Sequence, residues 1–211
     1  PGPQGLNPGD TMPREAKVLD LAGKEIPLAS LWAKQPLVLE FGSVSCPIFH
    51  GNGPSMEDIF VRYDGGTGRK ARVAMLYVRE AHPGWLQKPH NSLDEKLTNA
   101  NELQGKLLRP VWVDSVDGEL HQTMGPEPNS VFIIDTHGKI VYKSVWNAPA
   151  EVKRVLDGLV NNNVVPNALE SNFCTDPRPY YESVDYAKYL ARIIAVGGPD
   201  ALIDFMINLV N

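Results

Sequence analysis

The sequence predicts an α/β fold with a central mixed sheet flanked by helices, and three observations carry that prediction. Short apolar runs recur at 37–41, 71–79, 111–113 and 131–134, each the length of a buried strand. Segments with helical spacing separate them, such as Met56, Ile59, Phe60 and Tyr63. The first long run leads straight into a strand–turn–helix junction: residues 36–49 read PLVLEFGSVSCPIF. Gly42 and Ser43 break the strand, and Pro47 follows Cys46. Proline is favoured at the first position of a helix, where its missing N–H would be unpaired anyway. Cys46 is thus expected where a helix begins, among free N–H groups and partial positive charge that favour a thiolate, the nucleophilic form. A buried, inert cysteine is the competing reading, and the proline directly after Cys46 argues against it.

The chain of 211 residues is long enough for one domain with a full core plus an attachment. Its 43% hydrophobic and 21% charged residues are ordinary for a globular protein. A net charge of −5 without a basic run argues against nucleic acid as a partner. No apolar run approaches the length of a membrane span. The first residue is Pro rather than Met, so removal of an N-terminal segment is expected, and the compartment stays open between cytoplasm and export. Two cysteines, Cys46 and Cys174, are too few for a disulfide scaffold.

Taken in order, residues 1–13 are rich in Pro and Gly and read as an irregular, partly disordered lead-in. Residues 16–28 read as two short strands around an Ala22-Gly23-Lys24 turn, followed by a helical turn under Trp32. After Cys46 the run His50-Gly51-Asn52-Gly53-Pro54 predicts a break in the helix and a restart at Ser55. The second buried strand, 71–79, runs into Glu80-Ala81-His82-Pro83-Gly84-Trp85. Charged residues at the C-terminal end of a central strand lie on the usual functional edge of an open α/β sheet. Ser92-Leu93-Asp94-Glu95 is a capping box that starts a helix of about ten residues. A strand at 111–113, a short helix at 117–124, a hairpin of 131–134 with 140–142, and a helix at 149–160 complete the domain.

This order is the thioredoxin-like pattern, here with an added N-terminal hairpin and a C-terminal extension. In that fold a cis proline lies beside the reactive cysteine, just before the hairpin's first strand. Pro128 is the better placed residue and Pro126 the second. The domain therefore spans 14–160, and 161–211 is a loop carrying Cys174 followed by two apolar-faced helices, 181–196 and 199–210, which cover the domain or pair with another subunit.

The position three after Cys46 is Phe49, so Cys46 lacks the second thiol of a Cys-x-x-Cys exchanger. Its resolving thiol must be Cys174, another protein or a small thiol. Ser43, three residues before Cys46, is placed like the hydroxyl of a peroxidatic site, although Leu39 stands where such sites carry a proline. Ser45 is placed to hydrogen-bond the sulfur or cap the helix, and either serine reads equally as a turn residue. His82 with Glu80 forms a candidate acid–base pair on the Cys46 edge. His90 reads as a loop residue from its position alone, and His50 as solvent-facing. No His or Cys cluster has metal spacing, so no metal site is predicted.

Four segments, in order over roughly residues 30–160, resemble the iodothyronine deiodinases. FGSVSCPIF is similar to their Gly-Ser-x-Thr-selenocysteine-Pro-x-Phe, and YVREAHPGW to their Glu-Glu-Ala-His strand end. PHNSLDEK resembles their Pro-x-His helix start, and GPEPNSVFIID with GKIVYK their Gly-x-x-Pro-Glu strand pair. The resemblance implies that Cys46 takes the selenocysteine position as nucleophile and Ser45 that of the preceding Thr. It gives Glu80, His82 and His90 the places linked to substrate binding and proton delivery. Sulfur replaces selenium, Arg79 replaces the first Glu, the loop from His82 to Trp85 is shorter, and the tail after 160 has no counterpart.

The expected function is a Cys46-dependent oxidoreductase driven by a thiol reductant as cosubstrate, with no bound cofactor. Its family-specific version is deiodination of an iodinated phenol. Cys46 would attack the halogen, His82 and Glu80 would supply the ring's proton, and His90 would hold the phenol, with Pro128 beside them. A thiol peroxidase or thiol–disulfide oxidoreductase is the alternative enzyme, and a redox-inert binding module the alternative outside enzymes. The expected partners are the small substrate, the thiol, and a second copy of the chain in a homodimer.

Overall fold

A computed structural model describes residues 5–162, 164, 172–173 and 185–210. Among these, eight strands form one mixed sheet in the order β2-β1-β5-β4-β3-β6-β7-β8. The strands are β1 (Lys17–Leu19), β2 (Glu25–Pro27), β3 (Leu37–Gly42), β4 (Arg72–Tyr77), β5 (Val111–Val113), β6 (Val131–Ile134), β7 (Ile140–Ser144) and β8 (Asn172–Phe173). The parallel trio β3, β4 and β5 forms the middle, with the antiparallel β6–β7 hairpin beside β3. The helices are α1 (Ala29–Trp32), α2 (Pro47–Tyr63), α3 (Leu93–Gln104), α4 (Glu119–Met124), α5 (Pro149–Asn162), α6 (Tyr186–Gly197) and α7 (Pro199–Val210).

The period of two along β3 sorts its side chains. Leu37, Leu39 and Phe41 face a core made with Trp32, Leu120 and Met124 of α1 and α4. Val38 faces the opposite core with Met56, Ile59 and Tyr63 of α2 and Val152, Val155 and Leu156 of α5. The helical spacing seen in 149–160 thus packs on the sheet as expected. The Ser92 cap forms too: its hydroxyl accepts the Glu95 N–H at 3.2 Å, and Glu95 reaches back to the Asn91 N–H at 2.8 Å.

One expectation fails here. Helix α2 runs unbroken through Gly51, Gly53 and Pro54 rather than restarting at Ser55. Both ends of α2 are anchored: Ile48 and Phe49 pack in one core, Met56, Ile59 and Tyr63 in another. That burial outweighs the local cost of the glycines and of the bond that Pro54 cannot give to the His50 carbonyl. The described part of the lead-in, residues 5–13, is tied to the β6–β7 hairpin. Residues Gly9 and Met12 donate to Ile140 and Gly138, both at 2.8 Å, and Met12 is buried beside the β6–β7 turn.

A buried charge layer, unseen from the sequence, ties these elements together. Glu40 of β3 and Arg109, just before β5, are both fully buried and meet at 2.6 Å. Asn147 donates to the other Glu40 oxygen at 2.6 Å. Arg109 also pairs with Glu57 of α2, and its guanidinium lies 5.3 Å from the centre of the Phe49 ring. Removing one partner leaves the other charge buried and unpaired. Arg109→Met is expected to destabilise the fold by ~3–5 kcal/mol, read from the urea midpoint. A loss within ~0.5 kcal/mol would show that Glu40 needs no cationic partner.

Candidate active site

The site begins where β3 ends. Gly42 lies under the Phe49 ring, so closely that a Cβ there would sit 2.4 Å from a ring carbon. The chain turns at Ser43–Ser45, and Cys46 occupies the N-cap of α2 in an extended conformation (φ −83°, ψ 109°) with Pro47 at the first helical position. This is the predicted junction. The predicted thiolate is not what this closed arrangement favours. Cys46 is only 1% exposed. Burial pushes its thiol up to about 12 against the pull of the Phe49 and Ile48 N–H groups, and Glu40 and Glu80 add repulsion. Desolvation outweighs the helix terminus here.

Glu80 organises the turn. It follows β4, is 5% exposed, and accepts the Ser45 N–H at 2.7 Å and the Ser45 hydroxyl at 2.5 Å through one oxygen. Its other oxygen accepts the Tyr77 hydroxyl in a short hydrogen bond. The Ser45 oxygen in turn accepts the His82 N–H at 3.0 Å, and the Ser43 oxygen accepts the Ala81 N–H at 3.2 Å. The two serines therefore clamp the Cys46 turn onto residues 80–82. Ser45, expected to cap α2 or bond the sulfur, instead donates its hydroxyl to Glu80. Tyr77 was not foreseen; its place three residues before Glu80 was the available signal.

The histidines are placed differently from the expected acid–base pair. The oxygens of Glu80 go to Ser45 and Tyr77, whereas His82 Nε2 lies 3.4 Å from the Tyr189 hydroxyl of α6, with the Phe205 ring of α7 at 5.3 Å. Burial lowers His82 to about 4, opposed by Asp204. His90 stands on the far side of Tyr77, ring centres 5.3 Å apart, with Nε2 donating to the Val78 carbonyl at 3.3 Å. Its Nδ1 has no hydrogen-bond partner among the described residues. Burial and nearby Lys96 lower His90, against Glu80. His50, expected in solvent, is half-buried and donates to the Val44 carbonyl at 2.7 Å, closing the Cys46 turn.

Residues 6–158 match the family model of iodothyronine deiodinase. The chain belongs to the iodothyronine deiodinase family. No curated protein sequence matches it. The fold is thioredoxin-like, and three solved structures illustrate it. A hypothetical protein of Sinorhizobium meliloti 1021 is 14% identical with a TM-score of 0.61, covering 79% of this chain and 91% of its own. An uncharacterised thioredoxin-like protein of Porphyromonas gingivalis is 19% identical at 0.53, over 77% and 99%. The exposed lipoprotein thioredoxin of Streptococcus pneumoniae is 21% identical at 0.50, over 68% and 98%.

Within this deiodinase-family chain, the structure brings Cys46, Ser43, Ser45 and Glu80 into one hydrogen-bonded unit, with His82 and His90 on either side of it. Pro128 departs from expectation. No cis peptide bond occurs among the described residues. The chain instead turns at Pro128 and is fixed by its neighbour Asn129, which donates to the Phe41 carbonyl at 3.0 Å and pairs with Trp146. A trans bond suffices to reach β6. Cys174, the candidate resolving thiol, lies outside the described residues, as do the first residues, 181–184, of the predicted tail helix. No helix among the described residues is long and apolar enough to cross a membrane.

The depressed His82 value has a thermodynamic consequence. The unfolded chain takes up a proton near 6.5 and the folded chain only near 4, so the unfolded state binds more protons in between and stability falls as pH drops through that window. Allowing for the ring's residual exposure, this amounts to about 2 kcal/mol at full protonation. In His82→Asn, urea unfolding is expected to show a shallower loss of stability between those pH values. An unchanged slope would mean that His82 titrates normally in the folded protein.

Proposed function

We propose that this protein is a thiol-dependent oxidoreductase that removes iodine reductively from an iodinated phenol, with the Cys46 sulfur as the reacting atom. The observation that supports this most is the Ser45–Glu80–Tyr77 hydrogen-bonded unit fixed onto the Cys46 turn, within a chain of the deiodinase family. A cysteine kept only for packing needs no such clamp of hydroxyls and carboxylate at its N-cap.

The reaction balances as follows. The Cys46 thiolate takes the iodine from the ring: the C–I bond breaks, an S–I bond forms, and the ring carbon keeps the bonding pair and gains a proton. Sulfur is oxidised and carbon reduced by the same electron pair. A thiol then displaces iodide to give a mixed disulfide, and a second thiol frees Cys46 and leaves as the disulfide. The proton that the Cys46 thiol gives up passes to the Glu80 carboxylate, and Ser45, whose hydroxyl already donates to Glu80, relays it to the ring carbon, with Tyr77 behind it. His82 serves the same edge as a second proton carrier. His90 holds the phenol oxygen through Nδ1, which has no hydrogen-bond partner among the described residues.

The test is iodide release from an iodothyronine with dithiothreitol. Release is expected to vanish in Cys46→Ser and to fall ~10²-fold in Glu80→Gln, which keeps an acceptor for the serine but loses its basicity. Release that survives Cys46→Ser would sink the mechanism. No release, with rapid peroxide oxidation of Cys46 to a sulfenic acid, would instead favour the thiol peroxidase reading. The near-complete burial of Cys46 favours a second reading, a redox-inert scaffold, and inertness towards both reagents would support it.

A further inference from the structure

Helices α6 and α7 lie beyond the span that matches the deiodinase family, yet they pack against its reactive edge. Tyr189 and Ile193 of α6 and Ala201 and Phe205 of α7 share one buried cluster with Cys46, Ile48, Phe49 and Trp146. They do not merely rest near the site, because the same two helices also reach His82 through Tyr189 and Phe205. We propose that the α6–α7 pair is a cap that holds the protein in a resting state, and that Cys46 becomes reactive only when the pair lifts away as a unit. The proposal rests on Cys46 as the reacting group and adds what controls it.

Besides the Tyr189 contact with His82, three hydrogen bonds among the described residues tie the cap to backbone groups of the domain. The Asp200 carboxylate accepts the Trp85 N–H at 2.9 Å, the Gly197 carbonyl accepts the Leu86 N–H at 3.2 Å, and Arg192 donates to the Pro47 carbonyl at 3.4 Å. Two of these hold the loop after His82, so the cap grips the segment that follows Glu80 and leads to His90. The backbones meet closely there: a Cβ on Gly84 would lie 2.1 Å from the Gly197 carbonyl oxygen, and one on Gly197 would lie 2.8 Å from that of His82. Glycine on both sides is what lets the cap seat. Gly198, at φ +96°, turns the chain sharply between the two helices, so that they pack on each other as a hairpin.

One movement would release both silenced groups. In the closed state burial holds the Cys46 thiol up to about 12 and His82 down to about 4. Opening returns water to both, while the Ile48 and Phe49 N–H groups stay with the sulfur and favour its thiolate. The observed reactivity is then the open-state reactivity scaled by the open fraction.

The experiment is iodoacetamide alkylation of the full chain, with Cys46 separated from Cys174 by peptide mass, followed across low urea concentrations. A cap that opens without global unfolding gives a Cys46 rate well below that of a free thiol, with a urea dependence much shallower than that of global unfolding. Gly84→Ala, which wedges a methyl against Gly197 outside the cap, is expected to raise that rate at least about tenfold while the global midpoint shifts little. The proposal is overturned by a wild-type rate equal to that of a free thiol, by a urea slope equal to the global one, or by an unchanged rate in a folded Gly84→Ala. The wild-type slope decides the matter even if that variant does not fold. Alkylation needs no substrate, so absence of iodide release would count against the proposed reaction and leave the cap standing.

Discussion

The carboxylate of Glu80 is the interaction on which the reactive edge depends. It draws three donors from two strand ends, and through Ser45 it fixes where α2 begins. Without it, the Ser45 N–H and hydroxyl and the Tyr77 hydroxyl would be left in a buried pocket with no common acceptor, each costing about 1–3 kcal/mol. Because Ser45 immediately precedes Cys46, the same clamp sets the direction of the Cys46 backbone. The site is built from the strand ends inward, and the sulfur is the last group placed.

Two effects compete at that sulfur, and their balance depends on whether the C-terminal helices are seated. The helix N-terminus supplies N–H groups from Ile48 and Phe49 in every state of α2. The cover that Tyr189, Ile193 and Phe205 add to the buried cluster holding Cys46 exists only when α6 and α7 are seated. In the seated state burial wins. A sequence reading that sees the helix terminus but not its cover assigns the cysteine the reactivity of the uncovered state.

The parts of the fold written in adjacent residues were legible, and the parts that rest on distant pairs were not. The Ala22–Lys24 turn, the Ser92 cap, the strand into Cys46 and the β6–β7 hairpin each carry their signal within a few residues. Ser45 and Glu80 are 35 residues apart, Glu40 and Arg109 are 69, and His82 and Tyr189 are 107. No local period links such pairs, so the charge layer and the reach of Ser45 to Glu80 carried no signal in the sequence. The continuity of α2 was missed for the same reason. Gly51, Gly53 and Pro54 are strong local signals for a break, and only the cores at both ends of the helix overrule them. Reading His82 as the partner of Glu80 failed because Ser45, remote in sequence, reaches that carboxylate instead.

Phe49 bars a second thiol from the position three residues after Cys46. It occupies the position where an exchanger carries its resolving thiol, and its ring is committed on two sides. One face of the ring region lies against the Gly42 backbone, too close for any side chain there, and the Arg109 guanidinium stands 5.3 Å from its centre. Arg109 in turn neutralises Glu40 and Glu57 beneath the site. A cysteine at 49 would open a cavity under the turn and withdraw the aromatic neighbour from a buried cation, at a cost of several kcal/mol, on the order of a large-to-small core substitution. The aromatic ring, the buried charge layer and the single sulfur are therefore one design: the core that holds the Cys46 turn in place is the same core that excludes a second thiol from position 49.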